Sequence, residues 1–294
     1  MHDICVFDFD GSVSKQTGLM EHYRERIKLV DLKRHVHAAR LWASPRKFES
    51  IRSEAFAGRR PFFSFLGSGD YHHFSLALIA QHREPLSVVL FDNHPDWMRP
   101  PHRYHCGTWV HALARLPQVQ RIIIVGLESG DIAGKQFANG DVESYTSGKI
   151  VLLPFRPVGA MIPGKGLVNL SSKLQTDLYS GIAEILAAVA TDQVYISVDK
   201  DCLRSKDACT NWEQGTLPLA VVLQCIYAIR SKYHVVGADT VGDYSVPRFR
   251  SPLKWLGSLL DRPDYALRFT PPPEALRLNQ AANLQLLQVL DANT

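Results

Sequence analysis

The stretch VVLFDNHPDW (88–97) joins an apolar run to a group of polar side chains. The unbroken apolar residues before Asp92 are typical of a strand covered on both faces, as in a parallel sheet between helices. Asp92, His94 and Asp96 then follow at a spacing of two. Since side chains alternate faces along an extended chain, residues two apart point the same way. The stretch therefore predicts a buried strand that ends in three converging polar groups.

A second stretch, VYISVDKDCL (194–203), has the same form and supplies Asp199 and Asp201. Carboxylates gathered in one cleft repel one another and do not all ionise at neutral pH unless cations lie between them. Oxygen ligands with one or two imidazoles suit Mn²⁺, with Zn²⁺ and Fe²⁺ as competitors. Either motif alone is also typical of a turn or helix N-cap. Their joint occurrence behind two apolar strands favours a two-metal site.

Apolar runs of the buried-strand type recur along the chain, at residues 4–9, 62–66, 87–91, 121–126, 150–155, 194–198, 234–239 and 265–269. Helical patterns lie between several of them, at residues 72–83, 107–116, 178–190 and 217–232. This alternation predicts an α/β fold, a three-layer α/β/α arrangement with a mainly parallel sheet of about eight strands. A closed barrel is the alternative.

The open sheet is favoured because the strand spacing is irregular and because residues 10–60 form a long, charged, helix-like excursion. We expect a single domain over residues 1–294. Its last part, 270–294, contains a Pro-rich turn and a final amphipathic helix.

Composition excludes several classes of protein. The 33 Lys and Arg residues against 29 Asp and Glu give a net charge of +4, and the basic residues are scattered, so nucleic acid is not the expected partner. The 5 cysteines form no CxxC pair, which argues against a disulfide framework or a zinc ribbon and fits a reducing cytoplasm. No long apolar run suggests a signal peptide or a membrane span.

Two further segments carry histidines with candidate roles. In GSGDYHH (67–73), His72 or His73 is a candidate ligand of the first metal, although a histidine pair at a helix start is also common on protein surfaces. In RYHCGTWVH (103–111), His105 is a candidate proton shuttle because the unperturbed imidazole pKa lies near working pH, with an exposed structural histidine as the alternative.

Two acidic residues are candidates for substrate contact. Glu213 lies beside Trp212 in the segment that follows the second acidic strand, where a pocket wall or an ordinary helix-entry loop would both fit. Asp243 lies near the end of the strand predicted at 234–239.

The order of these motifs resembles the arginase and agmatinase (ureohydrolase) family across residues 60–245. GSGDYHH resembles the family's GGDHS motif, FDNHPD resembles DAHxD, and SVDKD resembles SxDxD. The HCGT segment resembles the family's histidine loop.

The resemblance implies an arginase-like fold holding two Mn²⁺ ions, and hydrolysis of a C–N bond of a small molecule by a hydroxide that bridges the two ions. It implies bridging roles for Asp92 and Asp199, and a proton-handling role for His105. The remaining ligands would be His72 or His73 with Asp96 at one ion, and His94 with Asp201 at the other. The family often forms trimers or hexamers, so a homo-oligomer is also a candidate.

One departure from the family pattern concerns the substrate. Members that use guanidino substrates carry a glutamate where this sequence has Gly242, and Asp243 lies one residue further on. A planar guanidinium normally pairs with a matching carboxylate. Arginine or agmatine is therefore not the predicted substrate; a guanidino, formimino or amide compound is left open.

Three other functions compete. VFDFDGSV (6–13) resembles the DxDG(T/S) motif of haloacid dehalogenase-like phosphatases, in which Asp8 would attack phosphorus and Asp10 would act as acid and base. A deacetylase of the same broad fold would use paired histidines and one Zn²⁺, but would not require Asp96 and Asp201. A protein that keeps the metals without turnover is the third alternative.

Overall fold

The computed structural model describes residues 3–99, 103–262 and 270–291. Within these residues the central sheet has eight strands: β1 (Ile4–Asp8), β2 (Ile27–Asp31), β4 (Phe63–Phe65), β5 (Leu86–Phe91), β7 (Val119–Val125), β8 (Ile150–Leu153), β11 (Gln193–Asp199) and β12 (His234–Val241). Their order across the sheet is β2-β1-β4-β12-β11-β5-β7-β8, and every pairing is parallel. Two small antiparallel pairs lie outside it: β3 (Trp42–Ala43) with β6 (Tyr104–His105), and β9 (Val158–Ile162) with β10 (Gly166–Leu170).

Helices connect most of the sheet strands. The described α-helices are α1 (Thr17–His22), α2 (Val36–Ala39), α3 (Pro45–Ile51), α4 (Ser75–Ile79), α5 (Trp109–Leu113), α6 (Val142–Thr146), α7 (Leu178–Ala188), α8 (Leu219–Lys232), α9 (Pro252–Asp261) and α10 (Ala275–Asp291). Short 3₁₀ turns lie at Lys33–His35, Gly69–Phe74, Cys106–Thr108, Gly130–Ile132, Lys135–Asn139 and Lys200–Cys202, and a π-helical turn lies at Arg52–Phe56.

The sheet is covered on both faces, as the unbroken apolar runs predicted. Along β5, Val88 and Leu90 belong to one core, whereas Val89 and Phe91 belong to a second core on the opposite face. The first core is closed by α3 to α5, and the second by α7, α8 and α10. The predicted three-layer α/β/α architecture is therefore confirmed.

The segment 10–60 contains the helices α1 to α3, as its pattern suggested, but it also contains the strand β2, which was not predicted. This strand forms one edge of the sheet and buries only part of its side chains, with Lys28 and Leu29 exposed. An edge strand with lysine on its surface lacks the continuous apolar run of a central strand. The strand expected at 265–269 lies outside the described residues.

The final helix was predicted correctly and forms α10. It packs on α8 and α1, and Asp291 near its end pairs with Arg26. Among the described helices, none combines the length and the apolar character that a membrane crossing requires.

Candidate metal centre

The two acidic motifs meet because β5 and β11 are neighbours in the sheet. Phe91 pairs with Val198, so Asp92 and Asp199 leave adjacent strands at the same edge. Ligand sites in open α/β sheets form at this carboxyl edge.

Each acidic motif forms a local turn and also directs a carboxylate oxygen toward His72, so that the side chains form one cluster. Asp92 Oδ1 accepts a hydrogen bond from His94 N at 2.8 Å, and Asp199 Oδ1 accepts one from Asp201 N at 3.0 Å. These are the local turn contacts expected of Asp. In both residues the turn leaves Oδ2 to face His72 across the site, at 3.4 Å from its Nδ1. The turn contacts of these motifs are therefore compatible with a role of the same carboxylates as ligands.

Two groups of converging side chains result. His72, Asp92 and Asp199 offer ligand atoms that lie within 4.8 Å of one another, and so do Asp92, His94 and Asp201. In the second group, His94 Nδ1 lies 2.9 Å from Asp201 Oδ2 and 3.9 Å from Asp92 Oδ1. Asp92 belongs to both groups.

Asp96 lies beside the first group, and its backbone is strained. Its φ of 48° is unusual for a residue other than glycine. Its Oδ2 lies 3.1 Å from His72 Nδ1 and also accepts a hydrogen bond from the indole of Trp109 at 2.8 Å. Strain of this kind persists where the surroundings fix it, which is common at functional sites.

Burial and like charge make the cluster a candidate site for cations. Burial, together with the charges of Asp96, Asp201 and Asp199, raises the pKa of Asp92 well above its usual value. Burial and Asp199 raise the pKa of Asp201 to about 6.

The pKa values of the two histidines are raised as well, which for an imidazole favours the charged form. Burial disfavours the imidazolium of both, yet Asp199 and Asp96 raise the pKa of His72 to about 10, and Asp201 raises the pKa of His94 to about 10. Among the described residues, His72 Nδ1 and Asp92 Oδ2 have no hydrogen-bond partner although both are buried. Buried orphan atoms on a carboxylate and an imidazole fit a divalent cation of the Mn²⁺, Zn²⁺ or Fe²⁺ type.

A hydrogen-bond chain that the motifs did not predict orients His72. Its Nε2 lies 3.1 Å from Ser197 Oγ, and Ser197 in turn donates to Asp239 Oδ1 at 2.7 Å. Tyr195 donates to the other oxygen of Asp239. Such partners fix the ring orientation of a ligand histidine. Ser197 lies two residues before Asp199 on β11, so the alternation that predicted the acidic pair also points to it.

His73 lies outside both groups. Its ring packs beside Phe48 and Phe74, and burial lowers its pKa well below the usual value. Neither ring nitrogen has a hydrogen-bond partner among the described residues. The structure thus places His72, and not His73, beside the carboxylates.

Most of the cluster lines a cavity of about 470 Å³, here called the metal cavity: Asp92, His94, Asp96, Asp199 and Asp201. His105, Asp201 and Glu213 line it, as do Asp131 and Asp261, which the sequence motifs missed because both come from loops or helix ends elsewhere in the chain. His105 Nδ1 accepts a hydrogen bond from Gly107 N at 2.9 Å, and its Nε2 lies 3.5 Å from Asp261 Oδ2.

The expected substrate contact through Asp243 is corrected by the structure. Asp243 is fully buried and its carboxylate binds Lys200 Nζ at 2.9 Å and Gln16 Nε2 at 2.7 Å. It does not line the metal cavity. One residue earlier, Gly242 adopts a φ of 85°, and a β-carbon at this position would clash with Asp199.

The phosphatase motif is also accounted for differently. Asp8 is buried, with Oδ1 accepting from Gly11 N at 2.8 Å and Oδ2 held by Ser14 and by Lys33. Asp10 Oδ2 pairs with Arg40. Both oxygens of Asp8 are thus bound within the protein, and neither Asp8 nor Asp10 lines the metal cavity.

Comparison with known proteins identifies the fold. No family model matches the chain. It is 23% identical over 240 residues to an uncharacterized protein of Thermotoga maritima, a match that covers 82% of this chain and 79% of that protein.

Three solved structures have the same architecture. Arginase from Bacillus cereus superposes with a TM-score of 0.58 at 14% identity, covering 99% of this chain and 98% of the arginase. Agmatine ureohydrolase of Thermoplasma volcanium gives 0.56 at 15% identity, covering 98% and 88% of the two chains. Formimidoylglutamase from Bacillus subtilis gives 0.52 at 17% identity, covering 98% and 86%. The chain therefore has the arginase-like α/β fold that its motifs predicted.

Proposed function

We propose that this chain, which has the arginase-like fold, is a metal-dependent hydrolase that cleaves a linear carbon–nitrogen bond of a small nitrogenous substrate. The observation that carries the proposal is that Asp92 is shared by two groups of converging ligand side chains, buried except for the half-buried His94, beside an open cavity. A one-metal deacetylase would not require the second group, so the arrangement favours two ions over one.

The side chains that would hold two Mn²⁺ ions come from the three motifs that resemble the ureohydrolase family: His72, Asp92, His94, Asp96, Asp199 and Asp201. Zn²⁺ and Fe²⁺ have compatible ligand preferences. When bound, a metal pair supplies an activated water and stabilises the negative charge that develops on the substrate.

The chain's own residues keep this site rigid. Asn93 N donates to Asp201 Oδ1 at 3.1 Å, which ties the first acidic loop to the second. The Asn93 side chain donates to the carbonyl of Glu213 at 3.0 Å, which fixes the loop on the cavity wall. Contacts of this kind hold catalytic side chains in one geometry before the substrate arrives.

His105 is proposed to handle the proton that the leaving amine requires. Because Gly107 N–H donates to Nδ1, the neutral ring carries its proton on Nε2, the atom that faces Asp261 on the cavity wall. His105 is thus placed to deliver a proton within the cavity.

Substrate recognition must differ from that of guanidino enzymes with a carboxylate at position 242. Glycine offers no acceptor there, and Asp243 is committed to Lys200. The carboxylates that remain on the cavity wall are Asp131, Glu213 and Asp261. A cationic or amide-bearing substrate would contact these groups.

The proposal is tested by incubating Mn²⁺-loaded protein with guanidino, formimino and acylated-amine compounds and measuring release of urea, formamide or ammonia, and free amine or carboxylate. We expect turnover of one class, and a roughly 10²–10⁴-fold lower kcat in His105→Asn, the range typical of a lost general acid. The variant should keep its metal content, since His105 belongs to neither ligand group. Full metal occupancy without turnover of any of the three classes would overturn the enzymatic proposal.

A further inference from the structure

A second cavity of about 530 Å³ lies near the carboxyl ends of β1 and β12. The residues that line it include Phe9, Asp10 and Ser12 from the phosphatase-like motif. No described residue lines both this cavity and the metal cavity. Asp70 connects their walls, because it accepts from Arg40, which lines the second cavity, and from Trp212, which lines the metal cavity.

Cationic side chains dominate the wall of this second cavity. Lys15, Lys33, Arg40 and Arg248 line it, against the single carboxylate of Asp10. That carboxylate is already engaged, since Ser12 Oγ donates to Asp10 Oδ1 at 2.6 Å and Arg40 binds Oδ2 at 3.1 Å.

Two of these cations lack a carboxylate partner. Lys33 pairs with Asp8 at 3.0 Å, and Arg40 pairs with Asp10 and Asp70. Within residues 3–99, 103–262 and 270–291, neither Lys15 nor Arg248 forms an ion pair with an acidic side chain. The wall therefore carries uncompensated positive charge.

Buried nitrogen atoms on the same wall also lack partners. Arg40 is 1% exposed, and its Nε finds no hydrogen-bond acceptor in the described part of the chain. The same holds for Nδ1 of His37, which lines the cavity as well. An unsatisfied buried N–H is costly and commonly marks a missing ligand or ion.

Part of the remaining wall is apolar, beside the polar side chains of Gln16, Ser245 and Asn279. Phe9, Tyr244, Pro271 and Leu276 face the cavity, and the ring of Tyr71 stacks beside the Arg40 guanidinium at 5.2 Å. A ligand that carries only charge would leave these surfaces in contact with water. A charged head on an apolar body would cover both parts of the wall.

We propose that this cavity is a binding site for a small organic phosphate, a phosphate monoester on an apolar or aromatic body. A phosphate dianion matches the two unpaired cations, and guanidinium and ammonium groups are the usual phosphate partners. The phosphatase-like motif then contributes a wall of a binding site, and no attacking carboxylate. The proposal does not depend on the hydrolase activity at the metal cavity.

The test is isothermal titration of the full chain with phenyl phosphate, inorganic phosphate and benzoate. We expect phenyl phosphate to bind with a Kd at least about tenfold lower than either of the others, because only it combines a dianion with an apolar body. Equal affinity for phenyl phosphate and benzoate, or no heat with phenyl phosphate at millimolar concentration, would overturn the proposal.

Variants separate this cavity from other anion sites. Lys15→Ala/Arg248→Ala should raise the Kd for phenyl phosphate at least tenfold, because it removes both unpaired cations. Lys28→Ala is the control, since Lys28 is exposed on β2 and lines neither cavity. Binding should be the same with Mn²⁺ and with EDTA. Binding that requires Mn²⁺, or that survives in the double variant, would assign the ligand elsewhere and contradict the proposal.

Discussion

A β-carbon at position 242 would lie 2.5 Å from Asp199 Oδ1 and 2.7 Å from Lys200 N. Only glycine fits this approach, and its φ of 85° is also one that other residues rarely adopt. The position that aligns with a glutamate of the family that the motifs resemble is thus part of the support of Asp199 in this chain. Glycine is required at position 242 because Asp199 and Lys200 pack closely against it.

We therefore expect Gly242→Ala to lower both stability and metal affinity. Gly148→Ala is the matched control, because Gly148 has a φ of 78° with nothing within 4 Å of its β-carbon. The control should lose about 1–2 kcal/mol from the left-handed backbone alone. Gly242→Ala should lose a further ~1–3 kcal/mol from overpacking. Urea denaturation of the two variants measures both stability losses. Equal losses in Gly242→Ala and Gly148→Ala would contradict the close approach of Asp199 and Lys200 to position 242.

A second prediction concerns the ion pair behind the acidic motif. Lys200, which lies between Asp199 and Asp201 in the sequence, is fully buried. Its Nζ donates to Asp243 Oδ2 at 2.9 Å and to Asn283 Oδ1 of α10 at 2.8 Å. Lys200→Met should cost about 3–5 kcal/mol, because it leaves a buried carboxylate uncompensated.

A double-mutant cycle with Asp243→Leu tests this pairing. The double variant should lose at least ~1 kcal/mol less than the sum of the two single losses, since it removes both charges at once. Urea denaturation of the four proteins gives the coupling energy. Additive losses would show that the two side chains do not interact as described.

A third prediction separates the two adjacent histidines. His72→Phe should abolish binding at the first ligand group. His73→Phe should keep the metal and preserve or raise stability, because it removes two buried nitrogens that lack partners among the described residues. Metal content and thermal unfolding of both variants measure this. Metal loss in His73→Phe with retention in His72→Phe would reverse the assignment.

Sequence patterns predicted the central strands because burial on both faces gives an unbroken apolar run, and they predicted the acidic motifs because alternation puts residues two apart on one side. The edge strand β2 was missed since its side chains are half exposed and charged. His72 and His73 were not separable because both lie on one 3₁₀ turn, where successive side chains point about 120° apart. The burial of Asp243 depends on partners from Lys200, Gln16 and Asn283, and no local pattern links these segments.

The central claim is that the side chains of the two groups hold two divalent cations. The most direct measurement is the metal content of the full chain after loading with Mn²⁺ and gel filtration, beside Asp92→Ala and the control Asp261→Asn, which changes the cavity wall outside both groups. The account predicts close to two Mn²⁺ per chain in the wild type and in Asp261→Asn, and loss of both ions in Asp92→Ala because Asp92 belongs to both groups. Full occupancy in Asp92→Ala, or a single tightly held Zn²⁺ in the wild type, would contradict it.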